Sequence, residues 1–232
     1  MIEDILVIIP AYNEEKTIGQ LLKNLKKYFK NILVIDDGSK DKTKEISEKE
    51  NVIVISHKVN KGKGEALKTG FRYAIEKGFP AVITMDGDGQ HFPEDAIKFV
   101  EKYREKTKVG IWIGKRDIFS QNMPFVRRIT NLSMSFLISL LSFQWIPDTQ
   151  CGLRLIKTDV LKKIKLYTSH FETESEILIK SSWKIVRIKS IIIKTFYSKE
   201  KSKIRPVIDT IRFFKMLILI FFNHFKKYGN RF

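Results

Sequence analysis

The chain has 232 residues, of which 43% are hydrophobic, a composition that suits one packed domain and excludes an intrinsically disordered protein. Its one cysteine, Cys151, excludes an internal disulfide and agrees with a reducing compartment. The net charge is +17, with +4 in residues 1–116 and +13 in the remainder, so the later half is predicted to meet nucleic acid, an anionic membrane or a phosphorylated substrate.

The first half of the sequence alternates short apolar runs with helical patterns. The run at 5–10 is continuous and follows Glu3 and Asp4 rather than a basic leader, so it predicts a buried strand and not a signal peptide. The pattern predicts further strands at 31–35, 52–55, 81–85 and 109–113, and helices at 14–29, 41–50, 63–77 and 93–106. This alternation predicts an α/β fold with a largely parallel sheet and helices on both faces.

The second half has a different pattern. An apolar segment at 131–146 predicts a helix, 152–156 a short strand, and 185–195 a strand or hairpin. The segment 204–228 is rich in aromatic and basic residues, but its apolar run is shorter than the roughly 20 residues that span a bilayer. It predicts an amphipathic helix that lies in a membrane interface, or alternatively one that packs on the domain or on a second subunit.

Two carboxylates, Asp86 and Asp88, follow the strand predicted at 81–85. Carboxylates are costly to place there without a partner, and the glycines beside them let a ligand approach the backbone. Hard oxygen ligands suit Mg²⁺ or Mn²⁺, with substrate phosphates completing the coordination shell. The segment therefore predicts a metal site, while a plain surface loop or a calcium turn stays as the alternative.

Other polar loops follow the first two strands. In residues 36–39 an ordinary turn competes with a carboxylate that binds a nucleoside, and in residues 10–15 Asn13 is also a candidate helix cap. Ligands usually bind where the carboxyl ends of parallel strands meet, so these loops are predicted to share one site. Residues 60–64 lack the pattern of a P-loop, but glycines and lysines at a helix start can hold an anion, which makes Lys63 a candidate. The histidines show no metal-ligand spacing and are interpreted as structural or surface residues, with His91 as the one exception worth testing.

Six motifs occur in a fixed order along the chain. They are IIPAYNEE (8–15), VIDDGSKDKT (34–43), NKGKGEALKTGF (60–71), MDGDGQH (85–91), GKRD (114–117) and DTQCGLRLI (148–156). The set resembles the family 2 glycosyltransferases, in particular their dolichyl-phosphate mannose synthase-like branch of polyprenyl-phosphate glycosyltransferases. The C-terminal part matches less well, since many relatives carry spanning helices there.

The resemblance implies a GT-A fold, which is Rossmann-like, and a nucleotide-sugar donor. It implies donor contacts from Pro10, Tyr12, Glu14, Ile35, Asp37, Asp86 and Gly87. It also implies that Asp88 and Gln90 hold Mg²⁺ or Mn²⁺ on the donor diphosphate, with Asp86 close by. Arg116, Arg127 and Arg205 fall where such enzymes place basic residues for donor or acceptor phosphate, with Arg128 as an alternative to Arg127. GDP-mannose and UDP-glucose are both candidate donors, and UDP-linked amino sugars stay open.

Transfer with inversion at the anomeric carbon is also implied by the resemblance. A sugar hydroxyl acceptor needs a general base, for which Glu176 or Glu174 is the candidate, whereas a phosphate monoester is already an anion at pH 7. An exposed helix start is the other interpretation of these glutamates. A polyprenyl phosphate acceptor accounts for the basic later half, the apolar helix and the amphipathic tail together.

The sequence therefore predicts a metal-dependent inverting glycosyltransferase that acts on a polyprenyl or dolichyl phosphate, cytoplasmic and peripheral at the inner face of the cell membrane. We expect a catalytic domain in residues 1–200, with a nucleotide-sugar half in 1–116 and an acceptor half in 117–200, followed by a basic amphipathic segment in 201–232. A soluble or polysaccharide hydroxyl acceptor is the alternative. Nucleic acid is not a predicted partner, because the aromatic residues of the tail lie in an apolar helix rather than on a base-reading surface. The oligomeric state stays open.

Overall fold

The protein is built around one mixed sheet. The structure, a computed structural model, describes residues 1–116, 125–194 and 206–229, and their side chains except those of 125–127, 206–207 and 223–229. Within these ranges the strands are β1 (Ile2–Ala11), β2 (Phe29–Asp36), β3 (Ile53–Ser56), β4 (Ala81–Thr84), β5 (Val109–Lys115), β6 (Arg154–Lys157) and β7 (Arg187–Ile192).

The sheet has the order β3-β2-β1-β4-β6-β5-β7. Its neighbouring strands pair in parallel except around β6, which is antiparallel to both β4 and β5. β1 lies inside the sheet between β2 and β4 with every residue from Ile5 to Ala11 buried, which explains why its sequence is continuously apolar. The predicted α/β fold with a mostly parallel sheet is confirmed.

Helices cover the sheet in two groups. In the first group α1 contacts both α2 and α4, and in the second α7 contacts α3, α5 and α8. The helices are α1 (Ile18–Leu25), α2 (Thr43–Lys49), α3 (Lys63–Glu76), α4 (Pro93–Arg104), α5 (Phe125–Ser142), α6 (Thr158–Lys163), α7 (Glu172–Ser182) and α8 (Pro206–Gly229). The short α6 was not predicted.

The first helix is shorter than the predicted span of 14–29. The backbone N–H of Glu14 donates to the Thr43 hydroxyl at 2.7 Å, and Asn13 has a φ of 53°, so the residues up to Glu14 are held by the start of α2. The N–H groups of Thr17 and Ile18 both donate to the Glu14 carbonyl oxygen at 3.0 Å, and this turn leads into α1. The Asn13 side-chain oxygen accepts the backbone N–H of Lys40 at 2.8 Å, and the N-cap position of α1 is Thr17 rather than Asn13. Phe29 begins β2 and is buried there, although its spacing fitted the helix face.

The apolar helix predicted at 131–146 instead ends at Ser142. Phe143 has a φ of 52°, which stops the helix, and the Ser139 hydroxyl accepts from the N–H of Ile146 and donates to its carbonyl oxygen. The region at 185–195 forms the single strand β7 over 187–192, parallel to β5, so the strand interpretation holds and the hairpin does not for the described part.

The C-terminal helix α8 packs on α7 with one face. Phe213, Met216 and Ile220 are buried, and the Trp183 and Phe221 ring centroids lie 5.7 Å apart. Its opposite face exposes apolar side chains such as Phe214 and Phe222. Within the ranges that the structure describes, no helix has the length and apolarity needed to cross a bilayer.

Candidate functional site

Hydrogen bonds join two polar loops, residues 11–15 and 37–43, at the carboxyl edge of the sheet. The backbone N–H of Asn13 donates to the Ser39 hydroxyl at 3.0 Å, and the N–H of Glu15 donates to the Asp41 carboxylate at 3.1 Å. The backbone N–H of Asp37 donates to the carbonyl oxygen of Ala11 at 2.8 Å. These bonds fix the ends of β1 and β2 as one polar surface.

The loop that contains Asp86 and Asp88 lies against this surface. The Thr17 hydroxyl donates to the carbonyl oxygen of Gly87 at 2.7 Å, and a Cβ atom on Gly87 would lie 3.4 Å from Cγ of Glu14. One carboxylate oxygen of Asp88 accepts the backbone N–H of Gln90 at 3.0 Å, which turns the loop back on itself. The structure thus brings the three predicted loops together.

Asp86 rests directly on the backbone of Gly152. A Cβ atom at Gly152 would lie 2.7 Å from Cγ and 2.8 Å from Oδ1 of Asp86, closer than side chains can pack. The Thr84 hydroxyl donates to the carbonyl oxygen of Gly152 at 2.9 Å and holds this backbone against the end of β4. Glycine is therefore needed at 152 because Asp86 occupies the space of a side chain.

Lys63 is the cation beside Asp86. Its ammonium lies 2.6 Å from Oδ1 of Asp86 and 2.8 Å from Oε2 of Glu174, so it bridges β4 and α7. Burial is the largest single influence on Asp86 and acts to raise its pKa, but the charge and hydrogen bond of Lys63, together with further positive charge such as that of Arg154, outweigh it, and the pKa lies below its usual value. For Lys63 itself, burial acts to lower the pKa, and the charges of Asp86 and Glu174 raise it above the usual range. The pair is ionised at neutral pH.

His91 lies beneath the same loop and is 5% exposed. Burial, opposed by the Asp86 charge and aided by that of Arg116, lowers the pKa of His91 to about 4, so the imidazole is neutral at pH 7. Its Nδ1 atom has no hydrogen-bond partner among the described residues. The position is thus interior rather than at the surface.

Asp37 faces inward, toward the start of α3. Its carboxylate accepts backbone N–H groups of Lys61 at 3.0 Å and Gly62 at 2.7 Å, and lies 2.6 Å from Nδ1 of His57. The segment that was predicted as an anion-binding helix start therefore already holds an anion of its own chain. The His57 side chain is 7% exposed, which agrees with the structural rather than the surface interpretation of the histidines.

Arg116 forms a buried fork with Asp148. The guanidinium Nε and Nη2 atoms donate to the two Asp148 carboxylate oxygens at 2.7 and 2.9 Å, and the Arg116 backbone N–H donates at 3.1 Å. Arg116 and Asp148 are 6% and 1% exposed. The pair fixes the end of β5 next to the loop that carries Gly152.

Glu176 does not face the carboxyl edge. It is fully buried, where it accepts the backbone N–H groups of Tyr167 and Thr168 and the Thr168 hydroxyl, and it pairs with Lys180. These three partner residues belong to α7 and the segment before it. The interpretation of these glutamates as an exposed helix start is wrong, because Glu172, Glu174 and Glu176 are all buried.

The remaining predicted donor contacts differ in what they can offer. The Ile35 side chain is wholly buried in the core, so only its backbone can reach a ligand, and Pro10 is also buried. Tyr12 and Glu14 are partly exposed on the loop beside Gly87. Arg205 and the Arg127 side chain lie outside the described residues.

The residues at this edge fit a Mg²⁺ or Mn²⁺ ion shared with a diphosphate. Across the described ranges no three His, Cys, Asp or Glu side chains cluster as a self-sufficient metal site. Mg²⁺ is usually held by only one or two carboxylates plus substrate phosphates, and the partly exposed Asp86, Asp88 and Gln90 offer two carboxylates and an amide oxygen.

The family model for glycosyl transferase family 2 matches residues 6–165, which include the whole of this edge. The chain is a member of glycosyl transferase family 2. As a glycosyltransferase it places its first four motif loops around Asp86, and the fifth and sixth, around Arg116 and Gly152, beneath them.

The chain is similar to several known proteins. The chain is 41% identical over 203 residues to an uncharacterised protein of Methanocaldococcus jannaschii, covering 85% of this chain and 83% of the relative. It is 38% identical over 218 residues to a UDP-N-acetylglucosamine–dolichyl-phosphate N-acetylglucosaminyltransferase of Methanococcus voltae, covering 84% and 86%. The fold resembles glucosyl-3-phosphoglycerate synthase of Mycobacterium tuberculosis, solved with Mn²⁺, UDP and glucosyl-3-phosphoglycerate, with a TM-score of 0.73 at 18% identity, covering 92% and 78%.

Sequence reasoning missed the residues that support the site from behind. Gly152, Arg154 and Asp148 belong to the quoted motif at 148–156, but no role was assigned to them. The signal available was an arginine and an aspartate within a mostly apolar segment, which predicts a buried ion pair without naming its partner. His57 gave no signal, because its partner Asp37 is 20 residues away.

Proposed function

We propose that this glycosyltransferase moves a sugar from a nucleotide-sugar to a polyprenyl or dolichyl phosphate at a membrane surface, with inversion at the anomeric carbon. The observation that carries the proposal is the 38% identity over most of both chains to a transferase named for dolichyl phosphate. The exposed apolar faces of α5 and α8 give the same indication independently of any relative.

For the donor, we infer a nucleoside diphosphate sugar, and UDP-N-acetylglucosamine is the first to test because the Methanococcus voltae relative is named for it. GDP-mannose and UDP-glucose stay in the panel. Pro10, Tyr12, Glu14, Ile35, Asp37 and Gly87 are the proposed donor contacts. In this proposal Asp37 acts by holding the backbone of Lys61 and Gly62, and Ile35 acts through its backbone.

Asp86, Asp88 and Gln90 are the proposed ligands of Mg²⁺ or Mn²⁺. When bound, the ion supplies Lewis-acid stabilisation of the leaving diphosphate. Arg116, held in line by Asp148, and Arg127 and Arg205 are the proposed cations for the donor and acceptor phosphates. Loss of any one of these arginines is expected to slow transfer.

The acceptor phosphate monoester is the proposed nucleophile. Its oxygen attacks the anomeric carbon while the bond from that carbon to the diphosphate oxygen breaks, and the nucleoside diphosphate leaves. The monoester is already ionised at pH 7, so no protein base has to remove a proton. This chemistry agrees with a Glu176 side chain that is fully engaged inside the protein.

For membrane attachment, we propose a peripheral contact at the inner face through α5 and the segment 201–232, next to a catalytic domain in 1–200. Phe136, Leu140 and Phe143 of α5 and its end are 61–86% exposed, and Phe222 of α8 is 72% exposed. Aromatic and aliphatic residues at this density, in a half of the chain with a net charge of +13, suit the interface of an anionic bilayer.

The test is a transfer assay with purified protein, Mn²⁺ or Mg²⁺, a panel of UDP- and GDP-sugars, and a short polyprenyl phosphate. Metal-dependent glycolipid formation from one donor is expected, and Asp88→Ala is expected to abolish it. Nucleotide release without glycolipid would exclude the lipid acceptor and favour a soluble or polysaccharide hydroxyl. No turnover with any donor by folded protein would count against the proposed donors.

A further inference from the structure

We propose that Lys63 is a resident counter-cation for Asp86, and that Glu174 is the positioning residue that draws the Lys63 ammonium away from Asp86 toward α7. We call the carboxyl edge of the sheet formed by residues 10–15, 36–43 and 85–91 the donor edge. In this arrangement Lys63 balances the charge of Asp86 at the donor edge until the metal-bound diphosphate arrives, and Glu174 sets how tightly Lys63 competes for Asp86. The inference rests on the proposed donor site and adds to it a determinant of metal affinity.

The Lys63 ammonium lies between two carboxylates on separate elements. It is 2.6 Å from Oδ1 of Asp86, at the end of β4, and 2.8 Å from Oε2 of Glu174, in the first turn of α7. Its side chain is 15% exposed, against 28% for Asp86, so the solvent-facing member of the group is the carboxylate that is proposed to bind the metal. A divalent cation at Asp86 must therefore compete with an ammonium that is already there.

The Lys63 backbone is fixed against α7, so the ammonium has little freedom to leave. A Cβ atom on Gly62 would lie 2.6 Å from the carbonyl oxygen of Ser169, and one on Gly64 would lie 2.7 Å from that of His170. The backbone N–H of Glu65 donates to the Ser169 carbonyl oxygen at 2.9 Å. α3 thus begins in direct contact with the segment that leads into α7, which keeps Lys63 within reach of Glu174.

Within the part of the chain that the structure describes, the Glu174 carboxylate has no other partner as close as Lys63. The only other cation beside it among the described residues, Arg154, lies 3.5 Å away, and its three guanidinium nitrogens already donate to the carbonyl oxygens of Cys151, Thr149 and Glu174. Arg154 is therefore satisfied without the Glu174 carboxylate. Keeping a buried carboxylate here has a desolvation cost, which its contact with Lys63 offsets.

The charges of the group balance, and this makes the sign of each change definite. Asp86 and Glu174 carry two negative charges, and Lys63 and Arg154 carry two positive charges. Removing the Lys63 charge leaves the edge with an excess of negative charge, which favours a divalent cation. Removing the Glu174 charge leaves Lys63 with Asp86 as its one close carboxylate, which strengthens the competitor and disfavours the cation.

The experiment measures the affinity for Mn²⁺ directly, from the electron paramagnetic resonance signal of free Mn²⁺, with and without UDP. The proteins are wild type, Lys63→Met, Glu174→Gln and the control Glu172→Gln. Glu172 lies in the same turn of α7 and is 8% exposed, but it forms no ion pair with the residues that the structure describes. Thermal melting of each variant shows whether it is folded.

Without nucleotide, Lys63→Met is expected to bind Mn²⁺ about tenfold more tightly than wild type. Glu174→Gln is expected to bind Mn²⁺ at least about threefold more weakly than wild type. Glu172→Gln is expected to match wild type. If Lys63→Met and Glu174→Gln both weaken binding, or both match wild type, the inference is overturned. Should Lys63→Met fail to fold, the direction of Glu174→Gln alone decides.

None of these measurements uses a sugar or a lipid. A chain that fails every transfer assay but shows the opposite effects of Lys63→Met and Glu174→Gln would lose the proposed function and keep the inference. A chain that forms glycolipid while both variants match wild type in Mn²⁺ affinity would keep the function and lose the inference.

Discussion

The donor edge of the sheet and the helices of the second half differ in the kind of surface that they expose to solvent. Among the described residues, four exposed large apolar side chains lie in residues 1–116 and sixteen lie after residue 128. At the donor edge the polar loops bond to one another, as Asn13 does to Ser39 and Thr17 to Gly87. On α5 and α8 the apolar faces have no cover among the described residues.

The two regions are therefore suited to different kinds of ligand. The donor edge presents fixed polar groups, whose positions are set by hydrogen bonds and by glycines that leave room for a neighbouring group. The helices present an apolar surface, which can bind without a fixed geometry. The free energy of such binding grows in proportion to the apolar area removed from water. A substitution at the edge should therefore change chemistry, and one on the helices should change attachment.

The largest effect is expected from Gly152→Ala. The added Cβ would meet Cγ and Oδ1 of Asp86 at 2.7 and 2.8 Å, so the carboxylate must move away from its place beside Lys63. A displacement of about 1 Å at a reacting site commonly costs about 100-fold in rate, and we expect at least that loss in kcat/KM for transfer. Steady-state kinetics with the active donor measure it.

Gly78→Ala is the matched control for Gly152→Ala. No atom lies within 4 Å of a Cβ at Gly78, whose φ of 75° makes alanine cost about 1–2 kcal/mol of backbone strain. We expect this variant to lose some stability and to keep its kcat/KM. An equal loss of kcat/KM in Gly152→Ala and Gly78→Ala would show that Gly152 matters for folding alone and not for the placement of Asp86.

On the helical side, Phe143→Ser combined with Trp145→Ser should weaken membrane binding. The two side chains are 86% and 72% exposed, and a fully buried side chain of this size contributes about 1.5–3 kcal/mol. We expect at least about a tenfold lower partition coefficient for anionic vesicles in a co-sedimentation assay. Nucleotide binding at the donor edge should be unchanged.

Val59→Ser controls for the general loss of exposed apolar surface. Val59 is 63% exposed and follows β3, the edge strand at the opposite end of the sheet from β7. If it lowers vesicle binding as much as the Phe143 and Trp145 pair does, binding depends on overall surface hydrophobicity and the assigned face is wrong.

A smaller effect that separates chemistry from packing is expected from Glu176→Gln. An amide in place of the carboxylate loses part of the bonding to Tyr167, Thr168 and Lys180, so the free energy of unfolding should fall by about 1–3 kcal/mol. We expect kcat to stay close to that of wild type. A general base would instead lose about 10²–10⁴-fold in kcat, so denaturant unfolding and kinetics together decide.

Most of the donor edge could be predicted from the sequence, whereas the remaining structure could be predicted less completely. Strands such as β1 and β4 are buried on both sides and read as continuous apolar runs, and the polar loops follow them directly, so their meeting at one edge follows from topology. The end of α5 was placed four residues too late, because a left-handed residue at Phe143 has no sequence signal when it is not glycine.

The supporting contacts could not be predicted, because they join residues distant in the chain. Gly152 and Asp86 are 66 positions apart, and Lys63 and Glu174 are 111 apart. Local periodicity has no information on such pairs, and the antiparallel insertion of β6 beside β4, which brings Gly152 under Asp86, breaks the βα alternation that the first half follows.

The packing between the two regions can be measured at Cys151, next to Gly152, by the reactivity of its thiol. Burial raises the pKa of the Cys151 thiol to about 12, so the thiolate fraction at pH 8 is about a thousandfold below that of an ordinary cysteine. We expect iodoacetamide to leave the folded protein unmodified at pH 8 and to label it readily in urea. Rapid labelling of folded protein would mean that the segment under Asp86 opens frequently.

The same thiol gives the smallest effect, in alkaline solution. Its folded pKa lies above the value of 9.0 that applies when it is exposed, so above pH 9 the unfolded chain ionises first and stability falls as pH rises toward 12. The contribution is about 1.4 kcal/mol per pH unit in that window and is absent below it. Cys151→Ala should therefore show a shallower loss of unfolding free energy than wild type between pH 9 and 10.5, and equal slopes would indicate that the thiol reaches solvent and that the packing between the two regions is loose.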